Sequence, residues 1–240
     1  MANSDPVYLR VVEDLRRQIT DGTLPPGAPI PSRHQITRKY GVGETAARHA
    51  LRVLAQEGLI IGRVGSGHRV RQRPTLLPLL RGQTTFPAPF PASFPAEFSA
   101  DMQAQGRRAT WDRQIEPAEA TPDIAARLRL AVAAPVTRTR FVYRGDGKPV
   151  QLATSYEPAG PAEGAEDARA GAGVKITEVV EQVSSRVPQP GESDVLDLPA
   201  GVHVLHIERT HWSGDRPVET SDIVIPCDQF RLVYSLPLPS

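Results

Sequence analysis

The sequence predicts an α+β protein in two parts, a small basic head of helices closed by a hairpin and a larger acidic body built on an antiparallel sheet. Three observations lead there. Residues 7–57 hold three apolar stretches at helical spacing, separated by short turns. Residues 135–226 hold two pairs of long alternating segments, each pair joined by a glycine-containing turn. Between the parts, residues 74–97 read "PTLLPLLRGQTTFPAPFPASFPAE", whose prolines at 87, 89, 91 and 95 suit an extended connector better than a packed element. The expected boundaries are therefore head 1–73, connector 74–97 and body 98–240. Phe86, Phe90 and Phe94 suggest that part of the connector packs on the body.

In the head, Tyr8, Val12, Leu15 and Ile19 mark one face of a first helix. Asp5 is expected to cap it, with Pro6 at the first helical position and Gly22 beyond its end. Four prolines between Pro25 and Pro31 are expected to deny that loop both helix and sheet. "SRHQ" fits a capping box in which Ser32 accepts from the amide of Gln35 and Gln35 reaches back. Ile36 and Tyr40 face inward, and Gly41 stops this second helix in the left-handed region. Only "GVG" separates it from a third helix of about Glu44 to Glu57, a spacing typical of a helix-turn-helix. Ala47, Ala50, Leu51 and Leu54 form the buried stripe of that helix, and Thr45, Arg48, His49 and Arg52 fall on the other side. "LIIGR", "VGSG" and "HRVRQ" then read as a glycine-tipped hairpin, with Arg63, His68, Arg69 and Arg71 along it.

Charge separates the two parts. Residues 1–73 carry 12 Lys/Arg against 6 Asp/Glu, a net +6, and the remainder carries 16 against 21, a net −5. A basic head on an acidic body suits a polyanionic partner. One α-helix fits the major groove and reads base edges with its first turns. Thr45 and Arg48 are placed to read bases, and Glu44 and His49 beside them are also expected at the DNA. Arg33, His34, Arg38, Arg52, Ser66, Gly67, His68 and Arg69 are placed to hold phosphates and set register.

Residues 7–71 resemble the DNA-binding domain of GntR-type bacterial transcription factors. "LPPGAPIPSRHQITRKYGV", "TAARHALRVLAQEGLI" and "GSGHRV" carry the resemblance, in order and at the right distances. It implies a winged helix-turn-helix that binds a short palindromic double-stranded DNA operator as a homodimer. Two positions depart from the family pattern. Arg33 stands where the family usually has glutamate, and Gly43–Glu44 where it commonly has Ser/Thr–Arg. Glu44 suits the positive end of the helix dipole and can accept from a cytosine amino group.

In the body, "TPDIAARLRL" reads as a short helix with Ala125, Leu128 and Val132 as apolar marks. "PVTRTRFVYR", "GDGK" and "PVQLATSYEP" form a hairpin. "ITEVVEQVS" reads as helix. "HVLHIERTHW", "SGDR" and "PVETSDIVIP" form a second hairpin, and "QFRLVYSLPL" a last strand. These hairpins resemble the UTRA effector domain of the HutC-like subfamily. The resemblance implies an antiparallel sheet with helices, related to a chorismate-lyase-type fold. It also implies dimerisation through the body and a small-molecule effector that controls DNA affinity. Arg138, Arg140, Ser155, Tyr156, Glu219 and Tyr234 are the matching effector-binding positions. Ala153 stands where the family often has glutamate.

Other chemistry finds little support. Cys227 is the lone cysteine, which excludes an intrachain disulfide and a cysteine-cluster zinc site. His203, His206 and His211 show no neighbouring Cys or carboxylate that would complete a metal set, so no metal and no cofactor are expected. "VGSGHR" lacks the lysine and helix of a nucleotide loop. No acid/base or nucleophile constellation is visible, so no catalytic residue is expected. Asp101, Asp112 and Glu116 read as ordinary surface acids. No apolar run approaches a membrane span, and the N-terminus lacks a signal-peptide core, so a cytoplasmic protein is expected. The reading is a DNA-binding regulator, a repressor, with ligand-modulated affinity. A ligand-independent DNA binder of repressor or partition type is the alternative, and a lyase-type enzyme a remote one.

Overall fold

The computed structural model describes residues 6–63, 67–72, 76–81, 93–159 and 176–234. The chain divides into two compact units, one of Met1–Thr75 with Leu198–Val202 and one of the remainder. No helix among the described residues is long and apolar enough to cross a membrane.

The head packs α1 (Val7–Thr20), α2 (Arg33–Tyr40) and α3 (Glu44–Gln56) around one core. Val11, Val12 and Leu15 of α1, Ile36 of α2, and Ala47, Ala50, Leu51 and Leu54 of α3 are all buried there. The first helix departs from expectation at its start, since Pro6 is the N-cap and Val7 the first helical residue. Asp5 lies outside the described residues. The capping box of α2 is present, with Gln35 N donating to Ser32 Oγ at 3.3 Å and Ser32 N to Gln35 Oε1 at 2.7 Å. Gly41 then turns the chain at φ 64°, a conformation that a Cβ makes unfavourable. Val42, 8% exposed, fills the angle between the two helices.

β1 (Ile60–Arg63) and β2 (Gly67–Val70) pair antiparallel as the wing. The proline loop was expected to stay clear of any sheet, and it does not. Gly27 N donates to Val70 O, Ile30 N to His68 O and Val70 N to Ala28 O, and Pro29 bridges Arg69. The prolines sit between the donating positions, so an edge ladder needs no proline N–H.

The body is a six-stranded antiparallel sheet in the order β4 (Ala109–Glu119), β5 (Pro135–Gly145), β6 (Lys148–Pro158), β9 (Arg216–Pro226), β8 (Val204–Ser213), β7 (Glu178–Arg186). Asp146 and Gly147, at φ 53° and 78°, form the tight turn from β5 to β6. One sheet face, here the inner face, is covered at one end by α4 (Ser93–Ala104) and by β3 (Leu77–Arg81) paired in parallel with β10 (Phe230–Tyr234). Leu79, Phe98, Met102, Phe141, Tyr143, Ile223, Ile225 and Phe230 make its core. The outer face carries α5 (Pro122–Leu128) and α6 (Pro190–Leu196), with Ile124, Ala125 and Leu128 packed beside Val136 and Tyr156.

Two expectations fail in the body, and a third, that the connector packs partly on it, is met by Leu79. "ITEVVEQVS" contains strand β7, not a helix, and it pairs along β8 from Glu178↔Trp212 to Arg186↔Val204. Its valines fit either period, and a β-branched run with a partner strand goes to the ladder. Val132 lies beyond the end of α5 and is 63% exposed, because Arg129 closes that helix in the left-handed conformation. The stretch 74–97 also contains β3 and the start of α4. Phe86 and Phe90 lie outside the described residues, as does the Phe94 side chain.

Candidate nucleic-acid interface and effector site

The helical period settles the face of α3. Burial of Ala47, Ala50, Leu51 and Leu54 leaves Glu44, Thr45, Arg48 and Arg52 exposed together on the opposite side. Arg33, His34 and Arg38 are exposed on α2. Glu44 sits in the first turn of α3, where the helix dipole favours a carboxylate, and the Gly43 cap supplies no side-chain bond.

Three of the expected contacts, His49, Arg52 and Arg69, have internal partners. The His49 ring stands edge-on against Tyr8, with centroids 4.3 Å apart at 87°. Its Nδ1 lies 2.6 Å from an Arg52 guanidinium nitrogen. A guanidinium only donates, so Nδ1 accepts and His49 carries its proton on Nε2. His49 thereby orients Arg52. In the wing, Arg69 donates to Gly27 O at 3.1 Å and so ties β2 to the proline loop. Gly67, at φ 73°, and His68 lie at the described edge of the wing, and Ser66 falls outside the described residues. Arg71, expected along the basic edge, is only 9% exposed.

The strand period and the register sort the body residues. Opposite residues share a face, so the inner face reads as rows across β5–β6–β9–β8–β7. One row is apolar, Phe141–Ala153–Ile223–Ile207–Val183. The next is polar, Thr139–Ser155–Ser221–Arg209–Glu181. Beyond it Glu157, Glu219 and His211 continue the same face. This polar floor is buried. Thr139, Ser155, Arg209, His211, Glu219 and Ser221 are each less than 9% exposed.

Arg209 and Glu181 form an ion pair on the floor, with both Nε and a terminal nitrogen of Arg209 2.6 Å from Glu181 Oε1. Tyr234 donates to Glu181 Oε2 at 2.8 Å. Burial, with Arg209 nearby, lowers the His211 pKa to about 4, so the ring is neutral at pH 7. Burial alone raises the Glu157 pKa. Ser221 Oγ is fully enclosed with no hydrogen-bond partner among the described residues. Alongside lies a hollow of about 380 Å³ lined by Val183, Leu205, Cys227, Phe230, Leu232 and Tyr234, with Arg231 the charged residue of its lining.

The six effector positions do not converge. Ser155, Glu219 and Tyr234 meet on or beside the floor. Arg138, Arg140 and Tyr156 alternate to the outer face, where Arg138 pairs with Glu116 at 2.8 Å and Tyr156 packs on the α5 cluster. Arg209, Glu157, His211 and Ser221 were missed. Only the even spacing of Arg209 and His211, and of Glu219 and Ser221, hinted that each pair shares a face.

On the outer face His206 does have carboxylate neighbours, contrary to expectation. Its Nε2 is 3.1 Å from Asp222, and its Nδ1 is 3.9 Å from Glu208. The three donor groups lie within 4.8 Å of one another. Arg127 already contacts both oxygens of Asp222, at 3.0 and 3.2 Å. Burial opposes ionisation of Asp222, but the bonds from His206 and Arg127 prevail and hold its pKa low. This cluster is an ion-pair network that fastens α5 to β9. The surface acids likewise disperse to separate partners, with Asp112 on Arg144 and Asp101 on the amide of Leu80.

Comparison with known proteins agrees with both parts. Residues 7–70 match the family model "Bacterial regulatory proteins, gntR family", and residues 105–231 match the UTRA domain. A crystal structure described as a GntR-family transcriptional regulator is 36% identical, covers 98% of this chain and 99% of its own, and superposes with a TM-score of 0.68. The histidine utilization repressor of Pseudomonas putida is 26% identical over 95% of this chain and 90% of its own length. The transcriptional repressor NagR of Bacillus subtilis is 35% identical over 81 residues, which span 34% of this chain and only 33% of that protein. The chain belongs to the GntR family of bacterial transcriptional regulators, and joins that family's winged-helix DNA-binding domain to a UTRA effector domain.

Proposed function

We propose that this regulator is a repressor that binds a pseudo-palindromic operator as a homodimer and releases it when a small molecule occupies the body. The exposed row of Glu44, Thr45, Arg48 and Arg52 on α3 carries this reading. Thr45 and Arg48 read base edges, and Glu44 selects a cytosine amino group or rejects sequences without one. Arg33, His34, Arg38 and Arg52, with the wing from Ser66 to Arg69, set register on phosphates, and His49 holds Arg52 in place. Residues 1–73 serve as the DNA-binding head, 74–97 as the connector, and 98–240 as the effector and dimerisation body. The effector lies against the inner-face floor, with Ser155 and Glu219 beneath it and Tyr234 at its margin. Arg138, Arg140 and Tyr156 support the sheet from the other side.

Ligand binding shifts the balance between DNA-competent and DNA-incompetent forms by no more than its differential affinity for them. Repression suits this surface because occupancy of a promoter suffices for it. The names of the curated relatives, a histidine utilization repressor and NagR, agree with that direction.

The test is selection of bound sequences from a random duplex pool at about 150 mM salt, where surface attraction is screened to physiological range. A two-fold symmetric motif is expected. Recovery of salt-sensitive binding without sequence preference refutes the operator reading.

A further inference from the structure

We infer that Glu44 makes this regulator sensitive to cytosine modification, since each half-site must present an unmodified cytosine N4 amino group to Glu44, and N4-methylation of that cytosine releases the protein. This rests on the operator reading proposed above and specifies the chemistry of one contact in it. Glu44 is the only acid in α2 and α3. It is exposed in the first turn of α3, on the face that presents Thr45 and Arg48. Gly43, not Glu44, occupies the cap position, and the Glu44 side chain has no hydrogen-bond or ion-pair partner among the described residues. The fold leaves this carboxylate uncommitted.

A carboxylate carried toward DNA is repelled by the phosphates and finds no donor among them. Arg48 and Arg52 on the same helix face keep that surface positive, so docking proceeds despite it. In the major groove the donors are the amino groups of cytosine and adenine. Adenine N6 adjoins N7, an acceptor that repels the second carboxylate oxygen. Cytosine N4 adjoins the C5 hydrogen, so the carboxylate meets no acceptor on that base. Cytosine is therefore the base that offsets the repulsion. Its N4 carries two hydrogens, one bonded to guanine and the other facing the groove, where Glu44 accepts it. A methyl group on N4 that leaves the base pair intact replaces the groove-facing hydrogen. The donor is then lost, and the carboxylate is desolvated against an apolar group. A methyl group on C5 leaves both N4 hydrogens in place.

The experiment uses the full chain. Operator selection is run on the unsubstituted protein, on Glu44→Gln and on Glu44→Ala, with far-UV circular dichroism to confirm that each variant folds. The unsubstituted protein is expected to fix one cytosine in each half-site that responds to Glu44. Glu44→Gln should change that base to adenine, because an amide pairs with both N6 and N7, and Glu44→Ala should leave the position free. Competition binding then compares the selected duplex with cytosine, 5-methylcytosine or N4-methylcytosine at that position. N4-methylation should weaken the unsubstituted protein by about tenfold or more, the worth of one base contact, and should leave Glu44→Ala nearly unchanged. The 5-methylated duplex should keep most of the affinity. A symmetric motif whose bases are the same for all three proteins, with Glu44→Ala merely binding every duplex more tightly, overturns the inference and reduces Glu44 to a repulsive charge. Equal binding of the N4-methylated and unmodified duplexes also overturns it. Both of those outcomes leave the operator reading standing, whereas recovery of no symmetric motif overturns the operator reading and the cytosine contact together.

Discussion

The recognition helix and the inner-face floor both depend on arginine, under opposite conditions. Arg48 and Arg52 stand exposed on α3. Arg209 is 3% exposed and meets Glu181 within the same sheet. An exposed guanidinium contributes little to the fold and much to a polyanion, because binding releases counterions. A buried one cannot stay unpaired, so its partner is built in. Salt should therefore weaken the head's contacts steeply and the floor's contacts little.

The largest way to break this contrast is at the floor. Glu181→Ala leaves Arg209 buried without its partner and is expected to cost about 3–5 kcal/mol in chemical denaturation. Glu181→Leu combined with Arg209→Met should recover most of that loss. If the double variant is as unstable as the single one, the pair itself is more than a structural tie.

A second test uses pH. The His211 pKa is lowered when folded, to about 4 from an ordinary 6.5, so the unfolded chain takes up the proton first. Stability contributed by the neutral ring is intact above pH 6.5 and falls as pH drops toward 4, by on the order of 3 kcal/mol. His211→Gln should flatten that slope in urea titrations at successive pH values.

On the exposed side the effects are smaller and appear in binding. Arg48→Ala should cost about 1–3 kcal/mol of operator affinity and relax sequence preference. If selectivity survives intact, Arg48 reads no base. Arg52→Ala should weaken all sequences alike and reduce the salt slope by about 1 in competition binding. Arg138→Ala comes last, because its pair with Glu116 is partly exposed and sits on the outer face. Its stability change should stay below about 1 kcal/mol, and ligand response should be unaltered. A lost response would return Arg138 to the effector site.

Legibility followed the range of the forces. The capping box at Ser32, the left-handed Gly41 and the buried stripe of α3 were all readable, since each involves residues within about one helical turn. The turn at Asp146–Gly147 was readable for the same reason. Strand β7 was not, because its neighbours in the ladder are 18 to 34 residues away and its valines suit both periods. The proline loop misled because proline excludes a donor at one position and leaves the next free to pair. At the effector site, resemblance named Arg138 and Ser155 together, but the two-residue period sends an even and an odd position of paired strands to different faces.

Sequence alone thus determined the winged-helix head, its exposed basic row and the α+β class of the body, all set by local spacing, turn chemistry and charge. Tertiary structure alone decided that Glu157, Ser155, Ser221, Glu219, Arg209, His211 and Glu181 share one buried face. Strands far apart in the chain bring them together, and the register between such strands is fixed by hydrogen bonds and core packing that no local pattern specifies.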